Sequence, residues 1–236
     1  MYKFINDDSQ ESYLISVDGV DGVGKTTFIT LLAQELGYKF AQNSQDPFEI
    51  VCVSPFGKTK ASLKTDKGAS KRTVIKWLLN NVKNGKFSYN EDKDKEIIKN
   101  LFFLSNITAL QSAMNFKFEG KKVFLFDRSF VTYSVYQGED VSDFIRCYDT
   151  GIVLTDEIEN IQTRLKDRES NDEFDSDCIP RMKEFNEKFL DMKNFFKKPN
   201  FINYNISNFK PRKNQTFVDV MQSIAKRAVY EIFNVD

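Results

Sequence analysis

Five short, largely apolar runs recur along the chain, at residues 13–17, 50–53, 123–126, 152–154 and 201–206. Short apolar runs of that length predict buried strands. Between them the apolar positions fall three and four residues apart, which predicts helices at about 25–36, 70–82, 93–118, 157–168, 179–195 and 216–233. Strands alternating with helices predict an α/β fold in three layers, a five-stranded parallel sheet flanked by helices. The stretch 57–70, rich in Lys, Thr and Gly, reads as a surface loop, and so does the acidic stretch 169–178. Both fall at carboxyl ends of strands, where open sheets of this class take their ligands. No repeat, low-complexity segment or linker interrupts the pattern, so residues 1–236 read as a single domain with a sizeable core.

Charge and composition narrow the chemistry. The 34 basic and 34 acidic side chains cancel, which gives no general attraction to nucleic acid or an anionic membrane. No apolar run is long enough to span a bilayer and no signal peptide is evident. Cys52, Cys147 and Cys178 have no paired spacing, which predicts a reduced, cytoplasmic protein without structural zinc. The chain has no histidine, so Ser-His-Asp and Cys-His mechanisms and histidine-ligated metals are excluded. Phosphoryl transfer remains open, because positioning and charge neutralisation do most of its work.

The first apolar run leads into G-V-D-G-V-G-K-T at residues 19–26. This is a complete phosphate loop, G-x-x-x-x-G-K-[ST], set between a predicted strand and a predicted helix, and it makes the fold a P-loop NTPase sandwich. Gly19, Gly22 and Gly24 allow close backbone approach, and the loop from Gly19 through Asp21, Gly22, Val23 and Gly24 to Lys25, Thr26 and Thr27 is placed to cradle ATP phosphates. Lys25 supplies a mobile positive charge and the Thr26 hydroxyl a ligand for Mg2+.

A second constellation follows the third apolar run: Asp127, Arg128 and Ser129, then Thr132, then Tyr136, Gln137 and Gly138. A carboxylate ending a buried strand beside a phosphate loop is where magnesium is held. Arg128 offers a fork for a second phosphate, which a lysine matches less well. Residue 22 is glycine, so the loop brings no guanidinium to the group in flight, and an arginine from elsewhere is worth roughly 10³–10⁵ in turnover. Arg164 and Arg168 lie four apart on one predicted helix and share a face. With Lys25 and Arg128 they are the candidate catalytic cations, Arg168 first among the pair, on a lid spanning about 164–178.

Taken in order, these segments resemble the thymidylate kinase family of nucleoside monophosphate kinases. Three matches carry the resemblance: the loop D-G-V-D-G-V-G-K-T-T at 18–27, the segment D-R-x(3)-T-x(3)-Y-Q-G at 127–138, and basic residues Arg164, Lys166 and Arg168 preceding D-E-F-D at 172–175. It covers nearly the whole chain, from about residue 13 to 233. It implies a magnesium- and ATP-dependent transfer to a deoxynucleoside monophosphate, most simply thymidylate, by a homodimer paired through helices beside the acceptor site. Position by position, it implies that Asp21 contacts the acceptor's 3′-hydroxyl and Arg128 its 5′-phosphate. Asp127 becomes the magnesium-side carboxylate, Tyr136, followed by Gln137, the ring under C2′, and Phe103 the aromatic stacked on the base.

The chain departs from the family at three places. The acceptor-phosphate loop usually carries an arginine, whereas 53–57 reads V-S-P-F-G, followed by Lys58 and Lys60. The base-reading arginine is replaced by Asn106 or Ile107, and an asparagine, which both donates and accepts, reads a base edge differently. Glu173 stands where the lid is usually basic. The acceptor can therefore be a modified pyrimidine deoxynucleotide, a free deoxynucleoside or a modified pyrimidine within DNA, and a nucleotide-binding regulatory protein without transfer is the remaining alternative.

Overall fold

The computed structural model describes residues 12–43, 47–55, 92–166, 179–196, 200–209 and 215–233. The five expected strands are β1 (Ser12–Asp18), β2 (Phe48–Val53), β3 (Lys121–Asp127), β4 (Thr150–Thr155) and β5 (Phe201–Asn205). They form one parallel sheet in the order β2-β3-β1-β4-β5. Every residue of β3 and β4 is buried, as continuous apolar runs covered on both faces must be. The central pairing sets Val17 against Asp127 and Asp18 against Val153. The carboxyl ends of β1 and β3 are thus neighbours, which brings the phosphate loop and the Asp127 segment together.

Seven helices among the described residues cover the sheet: α1 (Lys25–Asn43), α2 (Asp92–Met114), α3 (Phe130–Gln137), the single turn α4 (Ser142–Ile145), α5 (Ile158–Lys166), α6 (Met182–Asp191) and α7 (Phe217–Phe233). Helix α1 runs well past its expected end at 36. Gly37 costs about 1 kcal/mol against alanine in a helix, but the turn beyond it buries Phe40 against Phe48 and Phe233, with ring centroids 5.3 and 5.9 Å away. Burying one such ring is worth about 1.5–3 kcal/mol, so packing outweighs propensity. At the other end of the chain β5 stops at Asn205, whose side chain accepts from the Ser207 N–H and starts a 3₁₀ turn over Ile206–Asn208.

The expected helix 179–195 is three pieces, 3₁₀ turns at Ile179–Arg181 and Met192–Phe195 around α6. Helix α3 was not expected, because its β-branched and aromatic residues show no amphipathic period; six of its eight residues are buried. Its ends are nonetheless written in the chain. Ser129 caps the start by accepting from the Val131 N–H, and Gly138, at φ 72°, ends it in the left-handed conformation. The expected helix 70–82 and the expected loops 57–70 and 169–178 lie outside the described residues.

Candidate functional site

The phosphate loop joins the buried end of β1 to the start of α1. Gly19, Gly22 and Gly24 hold φ at 143°, 80° and 106°, values that side chains of L residues rarely adopt. At Gly22 space is limiting as well: an added Cβ would stand 2.7 Å from Leu165 Cγ and 3.1 Å from Ile161 Cγ2, both on α5. Val23 is fully buried and closes the turn by donating to the Val20 carbonyl at 3.4 Å.

Lys25 is buried and folded back on its own loop, donating to the carbonyls of Gly19 (2.9 Å) and Val20 (2.8 Å). Its ammonium lies 3.6 Å from Asp21 Oδ1. Burial, followed by the nearby Arg128 charge, lowers its pKa to about 8, against the pull of Asp21, Asp127 and Asp18. The ammonium is thus poised over loop oxygens, near where outer phosphates would replace them. Thr26 is exposed at the first turn of α1, Thr27 half-buried beside it, and the Thr26 hydroxyl donates to Asp127 Oδ2 at 3.0 Å. A hydroxyl and a single carboxylate are hard oxygen donors, suited to magnesium, which keeps most of its waters and shares phosphate oxygens. Thr26 and Asp127 therefore fit that ion.

Arg128 has φ 71° and is the sole non-glycine with positive φ among the described residues. A long side chain held there marks a backbone over-determined by its surroundings. Two anchors are visible. The Arg128 N–H donates to the Val17 carbonyl at 3.1 Å. Asp18, fully buried, takes four hydrogen bonds from the next turn: Ser129 N (2.9 Å), Ser129 Oγ (2.8 Å), Thr132 N (3.2 Å) and Thr132 Oγ1 (2.7 Å). Burial raises the pKa of Asp18 while those donors hold it down. So fixed, the Arg128 guanidinium is hydrogen-bonded to Asp21 Oδ1, the same oxygen that faces Lys25.

The other expected site residues fall around this centre. Tyr136 packs edge-on against Phe185 and Phe189 of α6, with ring centroids 4.6 and 6.0 Å away. Gln137 ends α3, half-buried. Phe103 stands in an aromatic cluster with Phe130, Tyr133 and Phe144, at 5.5 to 5.7 Å between centroids. Asn106 is buried; its Nδ2 donates to the Phe102 carbonyl at 2.9 Å, and its Oδ1 is buried without a hydrogen-bond partner. The Ser105 hydroxyl ties this helix to the Pro55 carbonyl after β2.

Arg164 was expected to approach the transferring phosphoryl group. Its Nε donates to the Gly22 carbonyl at 2.9 Å, its Nη2 pairs with Asp156 Oδ2 at 2.6 Å, and its guanidinium lies 4.8 Å over the Phe217 ring. Arg168, Lys58, Lys60 and the 172–175 segment lie outside the described residues. Two carboxylates escaped the sequence reading, Asp18 and Asp156. The available signal was the one that found Asp127, an acid at the end of an apolar run.

Comparison with known proteins agrees with this fold. Residues 1–227 match the family described as the KAP family P-loop domain. No curated protein matches. Among solved structures, thymidylate kinase from Ehrlichia chaffeensis superposes with a TM-score of 0.50 at 16% identity, over 93% of this chain and 100% of its own. Deoxyadenosine kinase from M. mycoides with bound dATP gives 0.51 at 13%, over 94% and 100%, and shikimate kinase from Bacteroides thetaiotaomicron 0.54 at 10%, over 94% and 99%. The fold is that of P-loop kinases. No described helix is long and apolar enough to cross a membrane.

Proposed function

The chain belongs to the KAP family of P-loop domains, and from that premise we propose that it is an ATP-dependent kinase acting on a deoxynucleoside monophosphate. Thymidylate or a modified pyrimidine deoxynucleotide is the acceptor, and the deoxynucleoside diphosphate and ADP are the products. The observation that carries this reading is Arg128. The backbone of Arg128 is held at φ 71° and its guanidinium faces Asp21 of the phosphate loop, a planar fork suited to gripping a second phosphate beside the donor's.

The chemistry follows from the positions. An acceptor phosphate oxygen, already deprotonated, attacks the γ-phosphorus in line while the bond to the bridging oxygen of ADP breaks, so no strong base is required. Lys25 moves from the Gly19 and Val20 carbonyls to the donor phosphates. Arg128 exchanges Asp21 for the acceptor phosphate, which frees the Asp21 carboxylate for a sugar hydroxyl. Magnesium, held at Thr26 and Asp127, would neutralise charge on the donor. Tyr136 and Gln137 border the sugar, Phe103 and Asn106 the base, and Arg168 is assigned to the group in flight. The unpaired Asn106 Oδ1 supports an acceptor base that offers a donor.

A deoxynucleoside acceptor is the second reading, since Val53, Ser54 and Pro55 bring no cation to the acceptor loop. Two copies are proposed to pair through α2, on which Ile97, Leu104 and Met114 stand exposed. Release of ADP measured across deoxynucleosides and their monophosphates tests the assignment. A monophosphate should be preferred. A nucleoside preference moves the assignment to the second reading, and ATP binding without any transfer leaves a regulatory protein.

A further inference from the structure

We infer that Arg164 acts on the phosphate loop and not on the phosphoryl group: held by Asp156, it is a positioning residue that fixes the Gly22 peptide for a nucleotide. The inference rests on the ATP-binding reading above.

Helix α5 meets the loop at Gly22 through three side chains. Ile161 and Leu165 pack against the Gly22 α-carbon so closely that no Cβ fits there. From the same face Arg164 Nε reaches the Gly22 carbonyl at 2.9 Å. The next N–H, that of Val23, belongs to the same rigid peptide plane and donates to the Val20 carbonyl at 3.4 Å. Both ends of the peptide are thereby tied.

The arginine is itself held at a second edge and on one face. Its Nη2 bonds Asp156 Oδ2 at 2.6 Å, and one face rests 4.8 Å over the ring of Phe217 at the start of α7. Asp156, with a side chain 1% exposed, cannot swing. Its Oδ1 accepts from Ser207 Oγ (2.5 Å), Glu157 N (2.8 Å) and Asn160 Nδ2 (3.2 Å). A planar fork bound at two edges and one face holds an angle that an ammonium cannot. With Nε and Nη2 so engaged and one face covered, the guanidinium is turned to the loop peptide and to Asp156, though the side chain stays 23% exposed.

The test is the affinity of the intact protein for Mg-ATP and Mg-ADP, by calorimetry, in wild type, Arg164→Met and Asp156→Asn. Because the loop serves both nucleotides, Arg164→Met should weaken both alike, by about tenfold, the size of one charged hydrogen bond. Asp156→Asn should reproduce the loss, and the double variant should be no weaker than either single, as expected of groups acting through one another. Unchanged affinities in Arg164→Met, or a loss confined to ATP, overturn the inference; the second result would place the guanidinium on the γ-phosphate. If Asp156→Asn does not fold, the ATP-to-ADP ratio in Arg164→Met decides alone. Failure of the wild type to bind either nucleotide removes the donor reading itself, and this inference with it.

Discussion

The Thr26 hydroxyl donates to the Asp127 carboxylate at 3.0 Å, joining the first turn of α1 to the end of β3. This contact links the phosphate loop's helix to the segment that follows β3. It exists because β3 is hydrogen-bonded beside β1, in a register that sets Val17 against Asp127.

Removing the carboxylate should separate magnesium use from folding. Asp127→Asn keeps an acceptor for the Thr26 hydroxyl, so the melting temperature should hardly move. Tryptophan or dye-based titration with Mg-ATP should show weaker, less magnesium-dependent binding. An unchanged magnesium dependence would remove Asp127 from the metal site.

Lys25 gives a pH signature. Its pKa lies near 8 in the fold and near 10.4 in an unfolded chain, so the unfolded state binds more protons between those values. Stability attributable to this group should therefore rise with pH across roughly 8 to 10.4 and be flat below. Nucleotide affinity should run the other way, falling above about pH 8 as the ammonium is lost. Urea titrations of wild type and Lys25→Met over this range should show that the variant lacks the upward slope and binds ATP at least about a hundredfold more weakly.

Asp18 should be intolerant of a single-atom change. In Asp18→Asn the amide oxygen can keep the three donors that Oδ1 holds, but an NH2 then replaces the Oδ2 acceptor of the Ser129 hydroxyl, which costs about 1–3 kcal/mol for the buried bond lost. Denaturation midpoints should drop accordingly, and turnover should fall further than ATP affinity, because Arg128 loses the turn that orients it. Equal losses of both would mean that Asp18 serves only stability.

Gly22→Ala tests the seat of α5. Strain at φ 80° and a Cβ 2.7 Å from Leu165 should cost on the order of 1–3 kcal/mol. Pairing it with Leu165→Ala should recover part of that loss, and absence of any recovery would contradict the packing described.

The sheet was legible because its inner strands, β3 and β4 above all, are buried throughout and so appear as apolar runs. The phosphate loop was legible because its glycines, Lys25 and Thr26 each answer a local demand. Helix α3 was not, since all-round burial erases the period by which helices are read, although Ser129 and Gly138 marked its ends. Asp18 and Asp156 were hidden for a different reason. Each bonds groups distant in sequence, Ser129 and Thr132 for one and Ser207 for the other, and only the strand order brings those partners near. Arg164 was placed on the right element, but its contacts depend on where α5 crosses the loop, which no spacing encodes.

The central claim is that Arg128 and the phosphate loop together pass a phosphoryl group to a second nucleotide. Transfer of label from γ-labelled ATP to a deoxynucleoside monophosphate tests it most directly, in wild type and Arg128→Ala. The account predicts labelled diphosphate from the wild type, and from the variant at least about a hundredfold less at nearly unchanged ATP affinity. Label appearing only as inorganic phosphate, or equal transfer by the variant, would contradict it.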